Sequence, residues 1–406
     1  MPVPEGRLGI ELFDDEFIQD PYLLYDRMRT DSPIHRIGDA GFYAVCTWDA
    51  VNEAIARPQD FSSNLTATMT YQDGQVRAFP VGELGADIQA LATADDPAHA
   101  IHRKLLLPHL SARRINELER FVGATADRLW NDGVDDAGCI EWMSAMANRL
   151  PMMIVMRLIG VPDVDSEQLV QWGYASTQVV EGLVDADQLE SAGVAIMQLS
   201  GYIIEHLQRA AAKPRNDLIS TLATACAAGE LAQITALNMM ITLFSAGGES
   251  TASLIGTAAQ ILARRPDVQQ RLRSDPELLG PFLEEALRYE PPFRGHYRHV
   301  VNDTELCGVE LAAGSRLVLL WGAANRDPRH FVEPNEFRLD RPQGKGHISF
   351  GKGAHFCVGA ALARLEARIV IGELLKRTSH IEAAAIGRWL PSLLVRRLER
   401  LQLALT

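Results

Sequence analysis

The chain has 406 residues, 47% hydrophobic and 22% charged, an ordinary globular composition with ample material for a core. Its 39 basic and 52 acidic residues leave a formal net charge of −13, which argues against nucleic acid as the main partner. The five cysteines, Cys46, Cys139, Cys226, Cys307 and Cys357, are scattered without a C-x-x-C pair, excluding a disulfide framework and a cysteine-rich zinc site.

The acidic opening lacks the basic and apolar regions of a secretory signal. The longest apolar stretch, Ile234 to Gly248, is interrupted by polar residues and falls short of the ~20 residues of a membrane span. A reducing cytoplasm is the expected compartment. Residues 33–48 predict two short strands around Gly38 and Gly41. Helical spacing then dominates, over 98–110, 113–130, 141–159, 165–182, 187–212, 234–264, 267–273 and 276–289. Further strands are expected within 296–320, broken at Asn302-Asp303, Cys307-Gly308 and Ala313-Gly314. In 358–377, Val358, Leu362, Leu365 and Ile369 share one helix face. Partial alternation of Leu393, Val395, Leu398, Leu401 and Leu403 predicts a terminal hairpin over 388–405. The fold class is therefore mainly α, an α-dominated α+β fold. Strand residues lie at both ends and in the third quarter of the chain, so one interwoven domain over 1–406 is expected.

The most informative segment is Phe350-Gly351-Lys352-Gly353-Ala354-His355-Phe356-Cys357-Val358-Gly359. Its glycines shape a tight loop where backbone approaches a ligand closely. The loop delivers one cysteine to a helix start, where N–H groups and the macrodipole favour the thiolate. A lone thiolate suits either a nucleophile or a single axial metal ligand. Zinc on His355 and Cys357 would lack sequence partners for the other two tetrahedral positions. A second pattern, Glu285-Ala286-Leu287-Arg288, is by itself an ordinary i, i+3 pair. The third, Ala246-Gly247-Gly248-Glu249-Ser250-Thr251, lies in the middle of a long helix. Two glycines there cost roughly 1 kcal/mol each relative to Ala. They imply close backbone approach, a kink or room for a ligand.

The cysteine segment matches F-x-x-G-x-H-x-C-x-G, the haem-binding signature of the cytochrome P-450 family, at every fixed position. The resemblance runs from Asp20-Pro21-Tyr22 to the C-terminus and is to soluble bacterial members, actinobacterial ones in particular. It implies the P-450 fold, with a long helix crossing the haem. Cys357 is then the thiolate ligand to the iron of haem b (iron protoporphyrin IX), with Phe350 and Gly351 beside it. Glu285 and Arg288 correspond to the family's structural E-x-x-R pair. The usual third arginine is replaced by Glu336 in Pro334-Asn335-Glu336-Phe337, leaving Arg338 or Arg341 to substitute. Ala246 and Gly247 fall on the haem face of the long helix. Glu249 is implied to relay protons to the reacting oxygen with Ser250, Thr251 or both. Ser250 stands at the family's usual threonine. His99, Arg103, Arg298 and His355 match contacts to the haem propionates; two buried carboxylates require paired cations or donors, and arginine supplies bidentate geometry.

The implied activity is monooxygenation of an apolar small molecule by a monomer without a membrane anchor. No flavin or iron–sulfur segment is present, so electrons are expected from a ferredoxin and an NAD(P)H-dependent ferredoxin reductase. Arg113, Arg114, Lys352, Arg364 and Arg368 are the candidate docking patch. Pocket walls are expected from the 62–90 loop, Leu243, Phe244, Ala246, Phe293, Arg294, Gly295, His296, Leu394 and Val395. Arg294 and His296 are expected either to meet a polar group of the substrate or to face solvent. Rival readings are a haem-thiolate enzyme using peroxide or catalysing isomerisation or dehydration, which the acid–alcohol pair disfavours, and a non-catalytic haem-binding protein.

Overall fold

The computed structural model describes residues 7–84, 88–162, 166–178, 183, 186–342 and 346–406. The chain opens with α1 (Arg7–Glu11), α2 (Asp15–Gln19), α3 (Tyr22–Asp31) and α4 (Trp48–Ala56). None of these helices was expected from the sequence, and α4 starts where the Thr47 side chain accepts the N–H of Ala50. The middle of the chain follows the helical spacing at α5 (Ala98–Leu106), α6 (Ala112–Gly133), α7 (Leu150–Ile159), α8 (Ser166–Gln178), α9 (Ala186–Ala212) and α11 (Gln233–Arg264), and adds α10 (Leu218–Ala227), which was not expected. Then come α12 (Pro266–Ser274), α13 (Leu279–Tyr289), α14 (Trp321–Ala324) and α15 (Ala360–Arg377).

Two expected helices are broken. After α5 the chain tightens into a 3-10 turn at Leu107–Leu110, where Pro108 lacks an N–H. The 141–159 segment divides into a π turn at Met143–Ala147 and α7, which carries Pro151 at its start. Positions 165 and 179–182 of another expected helix lie outside the described residues. Among the described residues, no helix is long and apolar enough to cross a membrane.

The strands tie distant segments together. β1 (Ile34–Ile37), β2 (Phe42–Val45), β3 (Phe61–Ser62), β7 (Gly295–Val300) and β10 (Arg316–Leu320) form a sheet in the order β1-β2-β10-β7-β3. The turn from β1 to β2 uses Gly38 and Gly41 at positive φ. Only the β10–β2 pairing in this sheet is parallel. Hairpins β4 (Ala67–Gln72) with β5 (Gln75–Pro80), and β8 (Thr304–Leu306) with β9 (Val309–Leu311), stand apart from it. The expected 388–405 hairpin is not formed as such. Its last residues are β12 (Leu401–Leu405), which lies between β11 (Ile381–Ile386) and β6 (Cys139–Glu141); only isolated bridges, Trp389 to Leu398 and Phe293 to Val395, mark residues 389–398. Local alternation indicates a strand but not its partner, and here the partners are distant in sequence.

α11 runs through the largest apolar core and packs on α7, α8, α13 and α15. A Cβ on Gly248 would come within 2.8 Å of the Met152 Cε, and one on Gly247 within 2.9 Å of Val155 Cγ2. Both glycines therefore serve the crossing of α11 over α7. Gly248 is buried there, whereas Gly247 is half-buried.

Candidate active site

The cysteine loop is fixed by backbone bonds before α15 begins. Gly351 donates to the Ile348 carbonyl and Cys357 to the Phe350 carbonyl, each at 2.8 Å. Gly351 and Gly353 take φ of +67°, a conformation in which a side chain would be strained. Burial pushes the free Cys357 thiol pKa up, while N–H groups of Gly359 and Ala360 and the charges of Arg103 and Arg364 pull it down. Burial wins. In the free chain burial outweighs the helix-end N–H groups, and a metal bound at the sulfur would favour the thiolate.

Cys357, Phe350 and Val358 are only half-buried, as are Leu243, Ala246 and Ser250 in the centre of α11. A central helix surrounded by other helices exposes its middle turns only where space lies beside it. Phe293, His296 and Leu394 are half-buried as well. Four other residues expected in the pocket are not available to line it. Phe244 and Val395 are fully buried in packing. Gly295 belongs to β7, where a Cβ would collide with the Leu319 carbonyl. The Arg294 guanidinium turns to the Ile18 carbonyl in the N-terminal segment. Within 62–90, residues 85–87 lie outside the described residues; the rest carries β3, β4 and β5.

A cluster of cations and imidazoles gathers at one edge of the loop. The His99 and His355 rings stack at 3.9 Å, and Arg103 donates to the Phe356 carbonyl at 2.9 Å. Ser63, which no sequence pattern singled out, lies 2.9 Å from His355 Nε2 through its hydroxyl. Burial first, then the charge of Arg298, pushes the His355 pKa down to about 3; burial alone takes Arg298 to about 10, against the pull of Asp95. Arg298 Nε and His355 Nδ1 are buried without any hydrogen-bond partner. Such orphaned groups are costly unless an acceptor arrives. The donor set therefore fits two carboxylates of a bound group, in addition to Asp95 and Asp96. Among the described residues, no group of three or more His, Cys, Asp or Glu side chains is placed to hold a metal ion.

The E-x-x-R pair is buried and its third partner is resolved. Arg288 grips both Glu285 oxygens at 2.8 Å and donates to the carbonyls of Asn325, Pro334 and Glu336. Arg341 reaches the same carboxylate at 3.1 and 3.2 Å. Arg338 contributes only its backbone N–H, and its side chain pairs with Glu333 and Asp340. Arg341 is the substitute.

This site stands in a chain whose relatives are clear. It is 67% identical over 393 residues to Cytochrome P450 144 of Mycobacterium tuberculosis, covering 97% of this chain and 90% of that protein. The chain belongs to the cytochrome P450 family. The cytochrome P450 family model matches residues 187–383. Cytochrome P450 107B1 of Saccharopolyspora erythraea is 33% identical, with 96% of each chain covered. Among solved structures, P450BioI in complex with hexadec-9Z-enoic acid ligated acyl carrier protein superposes with a TM-score of 0.87 at 29% identity, covering 97% of this chain and 99% of that one. CYP109E1 from Bacillus megaterium in complex with testosterone gives 0.85 at 27% identity, with the same coverage. This P450 thus belongs to a class of haem-binding monooxygenases.

The acid and alcohol expected to cooperate in this P450 point apart. Glu249 is buried, with its carboxylate accepting from Thr177 of α8 and, at 3.1 Å, from Arg397 Nε. Ser250 donates to the Ala246 carbonyl one turn back at 2.5 Å. Neighbouring helix positions diverge by about 100°, so adjacency in sequence never guaranteed contact. Thr177 and Arg397 carried no local signal, since each acts across the fold. The docking patch is likewise partly neutralised: Arg113 and Arg114 pair with Glu117, Arg368 with Glu119 and Arg364 with Glu284. Lys352 donates to the neutral Asn52 side chain at 2.9 Å, and among the described residues it has no salt bridge.

Proposed function

We propose that this P450 inserts one oxygen atom from O2 into an apolar small molecule, holding haem b through Cys357 and drawing electrons from a ferredoxin and its NAD(P)H-dependent reductase. The observation carrying this reading is the pair of orphaned donors, Arg298 Nε and His355 Nδ1, beside His99 and Arg103 at the edge of the cysteine loop. Arg298, His355, His99 and Arg103 would bind the two propionates, offsetting their burial. Cys357 would be the iron ligand. The group, when bound, supplies dioxygen activation and O–O cleavage favoured by a thiolate ligand.

Leu243, Ala246, Phe293 and Leu394 would hold an apolar substrate and exclude water, with His296 as the polar exception. Relatives seen with a fatty-acyl carrier protein and with testosterone support an apolar substrate class. Ser250 and Thr251 would pass protons toward the reacting oxygen, and Glu249 would feed them after its side chain leaves Thr177 and Arg397. One haem domain over residues 1–406 is supported by sheets that join residues 34–62 to 295–320 and 139–141 to 381–405.

The test is the spectrum of the reduced carbonyl complex. Wild type is expected to show the red-shifted Soret band of thiolate-ligated haem, and Cys357→His the position of imidazole-ligated haem. An unmoved band in that variant would assign the ligand to another residue.

A further inference from the structure

The half-buried arginine of α15 does something other than wait at the surface. Arg364 Nε and Nη2 lie 2.6 and 2.9 Å from the two carboxylate oxygens of Glu284, a buried residue of α13. The guanidinium carbon also sits 4.4 Å from the centre of the Phe350 ring. His347 completes the arrangement. Its Nδ1 accepts the Ser349 N–H at 3.2 Å, so Nε2 carries the proton and donates it to Glu284 at 3.2 Å. Ser349 in turn donates to the Leu287 carbonyl of α13. Phe350, at the end of this anchored stretch, receives the Cys357 N–H on its carbonyl. A bidentate ion pair with a stacked ring fixes a guanidinium in a way no single surface charge requires.

We propose that Arg364, held by Glu284 and laid over Phe350, is a positioning residue for the Cys357 loop and not a docking cation for the electron donor. The inference rests on the haem-thiolate reading above. Its charge also favours the anionic sulfur, so its removal makes the iron centre harder to reduce.

The experiment uses haem-loaded wild type, Arg364→Gln, Arg364→Lys, Glu284→Gln and, as a surface control, Arg368→Gln. Three quantities are read: persistence of the thiolate-type carbonyl band, reduced fraction at a fixed dye poise, and salt dependence of reduction by ferredoxin. Arg364→Gln is expected to convert to the non-thiolate band at least about threefold faster and to lower the reduced-to-oxidised ratio about threefold or more. The salt dependence should match wild type. Arg364→Lys keeps the charge without the planar fork, so the ratio recovers while the band still converts faster. Glu284→Gln frees the arginine and reproduces the faster conversion, which keeps the test open if Arg364→Gln does not fold. Arg368→Gln changes neither band nor ratio. Wild-type band persistence and ratio in Arg364→Gln would overturn the proposal, most directly if its ferredoxin rate fell with a flatter salt slope. Absence of the thiolate-type band in wild type would instead remove the haem-thiolate reading itself.

Discussion

Replacing Arg341 by Met separates the two arginines that the sequence left as equal candidates behind Glu285. Arg341 is buried, its Nε shared between both Glu285 oxygens, and its remaining N–H groups donate to the carbonyls of Val332, Glu333 and Glu336. Methionine fills much of the volume and satisfies none of these acceptors. Removing one partner of a buried charged network costs about 3–5 kcal/mol. The lower end is expected, because Arg288 still holds the carboxylate. Arg338→Met removes only surface pairs and should leave stability unchanged within error. Both variants are compared with wild type by urea denaturation followed through tryptophan fluorescence, extrapolated to zero denaturant. Equal losses in the two variants, or a wild-type Arg341→Met, would refute the assignment of Arg341 as third partner.

Three further outcomes are expected. Glu249→Gln and Ser250→Ala should slow turnover by up to about 100-fold and lower the ratio of product to NAD(P)H consumed, with substrate binding unchanged; an unaltered ratio in both, and in Thr251→Ala, would move proton delivery elsewhere. Glu284 is held at about 2, burial raising its pKa less than Arg364 and His347 lower it from 4.5. A depressed carboxylate stabilises above its unfolded value and loses that contribution as pH falls, by about 2 kcal/mol between pH 6 and pH 3. In Glu284→Gln that part of the acid loss should vanish, which urea midpoints across the range will reveal or deny. Ferredoxin reduction should slow between low and physiological salt as the Debye length shortens to about 8 Å, while dithionite reduction hardly responds. Lys352→Glu should slow the ferredoxin step more than Arg113→Glu, because Arg113 is already paired with Glu117; rates flat in salt would remove the electrostatic docking face.

Much of the site was legible because its chemistry is written in contiguous residues. The loop from Phe350 to Gly359 and the Glu285–Arg288 pair are each contiguous, so the resemblance to the family's signatures located them; spacing by itself left the loop cysteine as nucleophile or metal ligand and the pair as an ordinary one. What escaped were directions and distant partners. Glu249 belongs to a helix whose existence the periodicity revealed, but its carboxylate is drawn aside by Thr177 and Arg397, which lie 72 and 148 positions away. Phe244 and Val395 are apolar residues beside pocket residues, and only packing decides which of two apolar neighbours faces core and which faces space. Arg338 and Arg341 are indistinguishable in sequence; burial of Arg341 and only half-burial of Arg338 separate them.

The position of β12 has a consequence for how the molecule is made. This strand is the middle member of its sheet, with β11 on one side and β6 on the other. The piece that joins residues 139–141 to 381–386 is therefore made after both of its neighbours. Until then both neighbours present unpaired edges, a liability for aggregation. A stop codon near position 400 would remove this strand and leave β11 and β6 without the partner that joins them.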